Sequence, residues 1–144
     1  MHPWVRDAAL PYWRSGHHQA AVEHAARALS KHTRDKTYNS RLGEGRLMEY
    51  AFGVEPAQAG MGARLRFPGD RSSSTWRSRM RGAQLLGQSC YSGIRNLLAH
   101  EYELPWSPQM CFQYLILFNV LASWIAECDI ESPAPASPKR SSDV

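Results

Sequence analysis

The segment STWRSRMRGAQLLGQSCYSGIRNLLAHEY, residues 74 to 102, decides the fold. Trp76, Met80, Ala83, Leu86 or Gly87, Cys90, Ile94, Leu97 and Leu98 recur three and four residues apart, which lines them along one stripe of an α-helix. Ser74 or Thr75 is a suitable N-cap, and the helix is expected to end near His100 to Tyr102. A stripe of that length has to be covered by other helices.

Those helices can be read on both sides. Downstream, Glu103 to Pro108 holds two prolines and forms a tight connection. Ser107 can cap and Pro108 begin a last helix that carries Phe112, Leu115, Ile116, Val120, Trp124 and Ile125. Its most apolar part, Met110 to Ala126, includes Gln113, Asn119 and Ser123 and falls short of the about 20 residues a membrane span needs, so a core helix is expected and no membrane anchor. Upstream, Val54 to Ser74 holds Pro56, Pro68, Gly60, Gly62, Gly69 and a serine run, which reads as a long loop with a short hairpin around Ala63 to Phe67.

Three further helices precede that loop. Arg41 to Phe52 offers Leu42, Leu47, Met48, Ala51 and Phe52 as an apolar set with Gly53 as its stop. His18 to about His32 repeats Ala21, Val22, Ala25, Ala26 and Leu29 at helical spacing, and such small residues admit a close neighbour. Pro3 can open a first helix with Trp4, Ala8 and Trp13 inward and Gly16 as its end. The expectation is an all-α bundle of four or five helices over residues 1–130, with a long loop before the motif-bearing helix. Residues 131–144, rich in proline and serine, are expected to be a disordered tail.

Composition bounds the function only loosely. The chain has 144 residues, 43% hydrophobic and 21% charged, with 17 Lys+Arg against 13 Asp+Glu and a net charge of +4, as in an ordinary one-domain protein. The distribution is more telling: Arg64, Arg66, Arg71, Arg77, Arg79, Arg81 and Arg95 face a single acid, Asp70, between residues 64 and 95, an array that attracts a polyanion or forms a solvated basic face. The three cysteines, Cys90, Cys111 and Cys128, have no C-x-x-C spacing, and the first thirty residues lack the order of an export signal, so a cytoplasmic protein without disulfides is expected. The histidines form no metal-ligand pattern, and adjacent His17 and His18 should point apart on a helix, so neither a metal nor another cofactor is expected.

Chemistry concentrates in Arg95-Asn96-Leu-Leu-Ala-His100-Glu-Tyr102. On a helix His100 lies one turn beyond Asn96 with Arg95 on the flank, so the three polar heads can serve one small target. A guanidinium forks around phosphate oxygens and an imidazole exchanges protons near neutrality, a combination suited to binding and cutting a phosphodiester. In RNA the 2′-hydroxyl is the nucleophile, so cleavage needs only proton transfer and charge stabilisation: His100 as acid or base, Arg95 on the phosphate, Asn96 orienting His100 or bonding a phosphate oxygen. Arg77, Arg79 and Arg81, spread around one helix, are candidate contacts to the RNA backbone. The same Arg and His can also do no more than complement a helix C-terminus.

The Arg-Asn-x-x-x-His arrangement near the end of the penultimate long helix resembles the HEPN superfamily, helical domains known chiefly as metal-independent ribonucleases. Gly16-His-His-Gln-Ala-Ala-Val-Glu-His-Ala25, Leu47-Met-Glu-Tyr-Ala-Phe52 and Gly93-Ile-Arg-Asn96 in order look like the Ymh-type members of mobile elements, across most of residues 1–128. The resemblance implies an endoribonuclease of toxin or antiviral-defence type that leaves a 2′,3′-cyclic phosphate. It also implies a homodimer in which two copies of Arg95, Asn96 and His100 complete one site, with Glu23 as an accessory residue. Arg95, His100 and Tyr102 are also similar to HEPN toxins whose nucleotidyltransferase partner adenylylates the tyrosine. The alternative is a non-catalytic RNA- or nucleotide-binding subunit, or an antitoxin, within a toxin–antitoxin or defence complex.

Overall fold

The computed structural model describes residues 1–101 and 103–135. Tyr102, the expected adenylylation site, and residues 136–144 of the expected tail lie outside the described residues. The elements run α1 (Pro3–Arg14), α2 (His18–Thr37), α3 (Glu44–Ala51), β1 (Arg64–Arg66), α4 (Ser74–Cys90), a π-helical turn (Tyr91–Arg95), α5 (Asn96–His100), α6 (Pro108–Glu127) and β2 (Asp129–Glu131). This is the expected all-α bundle, with α4, the π turn and α5 as one continuous helical path.

Small residues set its tightest contacts. Ala21, Ala25 and Ala26 are fully buried on α2, which packs between α1 and α6. Gly87 of α4 meets α3 so closely that an added Cβ would stand 2.7 Å from Met48 Cβ. Ser73 caps α4 through Trp76 N, one residue before the expected cap, and Ser107 caps α6 through Met110 N. α6 is long and apolar enough to cross a membrane by length and composition alone, a correction to the shorter stretch read from the sequence. Here its inner face, with Cys111, Leu115, Phe118, Leu121, Ala122 and Ile125, packs into the bundle core.

Several further expectations are corrected. The hairpin around Ala63 to Phe67 does not form; β1 instead pairs antiparallel with β2, Leu65 opposite Ile130. Glu131, placed in the expected tail, is therefore part of the fold. Side chains impose this pairing: buried Arg66 donates to Glu131 Oε2 at 2.9 Å and to the carbonyls of Gly53 and Glu55, while Arg64 lies over the Tyr50 ring and donates to Tyr50 O and Pro56 O. These two cations hold the long loop down by satisfying its carbonyls, so they are not part of a solvated basic array.

The last correction concerns the long helix, which is not α throughout. The π turn at Tyr91–Arg95 inserts an extra residue into the winding and delays the apolar phase, so Leu98 is half buried while Leu97 is exposed. Sequence spacing assumes an uninterrupted 3.6-residue period and had placed both inside.

Two outcomes follow from these contacts. Gly87→Ala should lose about 1–2 kcal/mol in urea denaturation, because overpacking against a Cβ next to the α3 backbone exceeds the gain in helix propensity; an unchanged midpoint would mean that the α3–α4 spacing is adjustable. Hydrogen bonding from Arg71, and after it Arg66, holds the Glu131 carboxyl below its ordinary range against an opposing effect of burial. Its stabilisation is therefore full above the ordinary carboxylate range and is lost as pH falls through the depressed value. The gap in melting temperature between wild type and Glu131→Gln should be widest near neutrality and close on acidification; a gap independent of pH would contradict the pairing.

Candidate functional site

Tyr91 fixes the geometry around the sequence motif. Its side chain is buried, its ring meets Phe118 of α6 edge-on with centroids 5.6 Å apart, and its hydroxyl donates to Ala26 O of α2 at 2.7 Å. Burial, with Glu44 next, pushes its pKa well above the usual value, so it acts as a neutral donor. Anchored there, the π turn directs Arg95 into the space between α2 and α3. Arg95 Nε donates to Glu44 Oε1 at 3.2 Å, and its Nη1 lies 3.7 Å from Glu23 Oε1. The Arg95 side chain is 14% exposed, so these two carboxylates are its main company.

The backbone of Glu44 is itself unusual. It opens α3 after Gly43 with φ at +34°, a left-handed conformation that a residue with a Cβ occupies at a cost. Its carboxylate contact with Arg95 is made from that position.

Asn96 and His100 lie elsewhere. Both are exposed on α5, and among the described residues no hydrogen bond joins Arg95, Asn96 and His100. The expectation that the three heads converge on one point is corrected: the guanidinium turns inward toward α2 while the other two face solvent. Glu23 does come to Arg95, as an ion-pair partner on the divide between two depressions.

On one side of that divide is a groove of about 590 Å³ lined by Arg27, Ser30, Lys31 and Arg34 of α2, Glu44 of α3 and Arg95. Its cations outnumber its acids, and among the described residues Arg27 and Arg34 have no carboxylate partner. On the other side a cleft of about 560 Å³ is lined by His17, His18, Glu23, Leu98, Glu101 and Glu103. His100 lies between Leu98 and Glu101 in sequence and is exposed, but it is not among the residues that line the cleft. His17 is the N-cap residue of α2 rather than part of it, so the two adjacent histidines do not diverge as they would within a helix. Its Nδ1 is 2.9 Å from Ser15 Oγ, which also lies 3.0 Å from Tyr12 O, so this hydrogen bond holds the ring in place.

The arginines expected to contact RNA stand on α4, away from both depressions. Arg79 lies over Phe67 and pairs with Glu127, Arg81 bonds Gln84, and exposed Arg77 lines a different groove near Arg71 and Glu131. Sequence reasoning passed over the residues that do line the groove, although Arg27, Ser30, Lys31 and Arg34 at spacings of three and four were a legible signal opposite the alanine stripe. None of the cysteines is an activated nucleophile: burial pushes Cys90 and Cys128 up to about 12 and raises Cys111 as well.

A protein-family model described as "Protein of unknown function (Hypoth_ymh)" matches residues 1–125. No curated protein and no solved structure matches the chain. The family match overturns the assignment to the HEPN superfamily, which nothing in it indicates. Arg-Asn-x-x-x-His is a short pattern that helix ends can carry for other reasons, and the toxin and defence roles inferred through that superfamily lose their basis.

The φ of Glu44 yields a comparison of two variants. Both Glu44→Ala and Glu44→Gly remove the partner of Arg95, but glycine adopts the left-handed conformation freely. Glu44→Gly should be the more stable by about 1 kcal/mol in chemical denaturation, against the usual helix order of alanine over glycine. Alanine equal or better would show that this turn carries no strain.

Proposed function

The chain belongs to the Hypoth_Ymh family, whose description assigns no activity, and from its site we propose that it is an endoribonuclease that works by proton transfer without a metal ion. The observation that carries this reading is the cleft lined by His17 and His18 at the start of α2 and by Leu98 and Glu101 at the end of α5, the element that ends in exposed His100, next to a cation-lined groove. The start of α2 thus supplies two imidazoles to the cleft and the end of α5 an exposed third beside its wall, and cleavage of a phosphodiester needs one group to take a proton and another to give one.

RNA suits such a site because it supplies its own nucleophile, and the buried, protonated thiols of this chain offer none. His100 takes the proton of the 2′-hydroxyl, the 2′-oxygen bonds to phosphorus, the bond from phosphorus to the 5′-oxygen breaks, and His17 protonates that leaving oxygen. The products are a 2′,3′-cyclic phosphate and a 5′-hydroxyl. Arg95, held by Glu23 and Glu44, binds the phosphate on the groove side.

A second reading is RNA binding without cleavage, and one observation favours it: the two carboxylates on Arg95 already offset its charge, which reduces what it can add to a developing phosphorane. Incubating the full chain with RNA in EDTA and mapping the ends separates the two. The cleavage reading expects cyclic phosphate ends, with His100→Ala and His17→Ala each slower by roughly 10²- to 10⁴-fold. Undiminished cutting by both variants sinks it, and bound but intact RNA with the wild type selects the binding reading.

A further inference from the structure

Among the described residues, two buried side-chain polar atoms have no hydrogen-bond partner, Ser30 Oγ and Arg95 Nη1. Ser30 and Arg95 line the same groove. Buried donors are seldom left unsatisfied, because each forfeits its bonds to water, and two such residues on one groove mark a place where a bound group supplies the missing acceptors.

The neighbours of Ser30 explain why its hydroxyl is unused. Thr33 and Thr37, further along α2, turn their hydroxyls back to the carbonyls four residues earlier, at 2.7 Å each. For Ser30 the corresponding carbonyl is Ala26 O, and that oxygen accepts the Tyr91 hydroxyl in addition to its helical bond. A carbonyl has two lone pairs, so Tyr91 occupies the place that Ser30 would take. The Ser30 residue is 1% exposed, and its hydroxyl makes no other hydrogen bond among the described residues.

We propose that this groove is a binding site for the phosphate group of a nucleotide, free or within a chain, with Ser30 Oγ and Arg95 Nη1 as donors at its floor and Arg27 and Arg34 closing from the rim. The assignment goes beyond the cleavage reading and does not depend on it, since the groove holds phosphate whether or not a bond is cut at the neighbouring cleft. Three observations select phosphate. Arg27 and Arg34 flank Ser30 by three and four residues on one face of α2, and neither has a carboxylate partner among the described residues. Guanidinium forks and a hydroxyl arriving from different directions match a tetrahedral anion with several acceptor oxygens better than a planar carboxylate. The volume of about 590 Å³ is far larger than a bare anion needs, and one wall is the His24 imidazole, backed by Tyr12 stacked on it at 3.9 Å, a flat surface suited to the rest of a nucleotide.

Binding is measured on the full chain carrying His100→Ala, so that cleavage does not enter, with inorganic phosphate, a nucleoside monophosphate and a short RNA as probes in separate titrations followed by NMR. Ser30→Ala should weaken phosphate binding by roughly 3- to 10-fold, and Arg27→Ala with Arg34→Ala by roughly 10-fold or more. The ligand-free protein gives a second readout: losing an unpartnered buried hydroxyl should leave the melting temperature of Ser30→Ala equal or higher while its affinity falls, a combination that a structural serine does not produce. Equal affinity for the monophosphate and inorganic phosphate identifies a site for the free anion. Tighter RNA binding that weakens steeply with salt but keeps its dependence on Ser30 identifies the backbone of a chain. The proposal is overturned if none of the three probes binds, or if binding is indifferent to Ser30, Arg27 and Arg34.

Discussion

The hydrogen bond from Tyr91 to Ala26 O is the contact on which the arrangement of this protein turns. It joins the middle of the long helical path to the central helix of the bundle, at a point where both are buried. The helix accommodates it by widening into a π turn, and that widening decides where Arg95, Asn96 and His100 face. The same bond takes the acceptor of Ser30 and so leaves a donor in the groove. One phenol thus sets the phase of the sequence motif and the chemistry of the surface beside it.

The many arginines between residues 64 and 95 carry different duties. Arg64 and Arg66 are buried and bind loop carbonyls, Arg71 and Arg79 pair with Glu131 and Glu127, and Arg95 pairs with Glu23 and Glu44. A cluster that looks like a surface for polyanions in the sequence is consumed largely in stabilising an irregular segment. The accessible positive groove comes instead from α2, whose charges are diluted in sequence by the alanines of its buried face.

The helices themselves were legible because their apolar spacing is local, and the caps at Ser107 and Pro108 needed no tertiary information. The π turn was hidden: Tyr91-Ser-Gly-Ile-Arg95 reads as ordinary helix unless the reach of Tyr91 to a carbonyl 65 residues away is known. The pairing of Arg64–Arg66 with Asp129–Glu131 was hidden for the same reason, since three-residue strands leave no alternation to detect. In the site, the importance of Arg95 could be read from its motif, whereas its carboxylate partners, the role of His17 as a helix cap and the idle hydroxyl of Ser30 depend on elements brought together only by packing.

The strand pairing that closes the structure also fixes an order of events. Arg66 and Glu131 stand 65 residues apart, so the link between them cannot form until almost all of the described chain has been made and α6 has docked. Helices α1 and α2 can associate much earlier from near neighbours in sequence, and the loop after α3 can fold onto Arg64 and Arg66 through carbonyls only 8 to 14 residues away. During synthesis the ion pair of Arg66 with Glu131 is therefore among the last contacts to form, and it ties the C-terminal strand onto a loop that its own two arginines already hold.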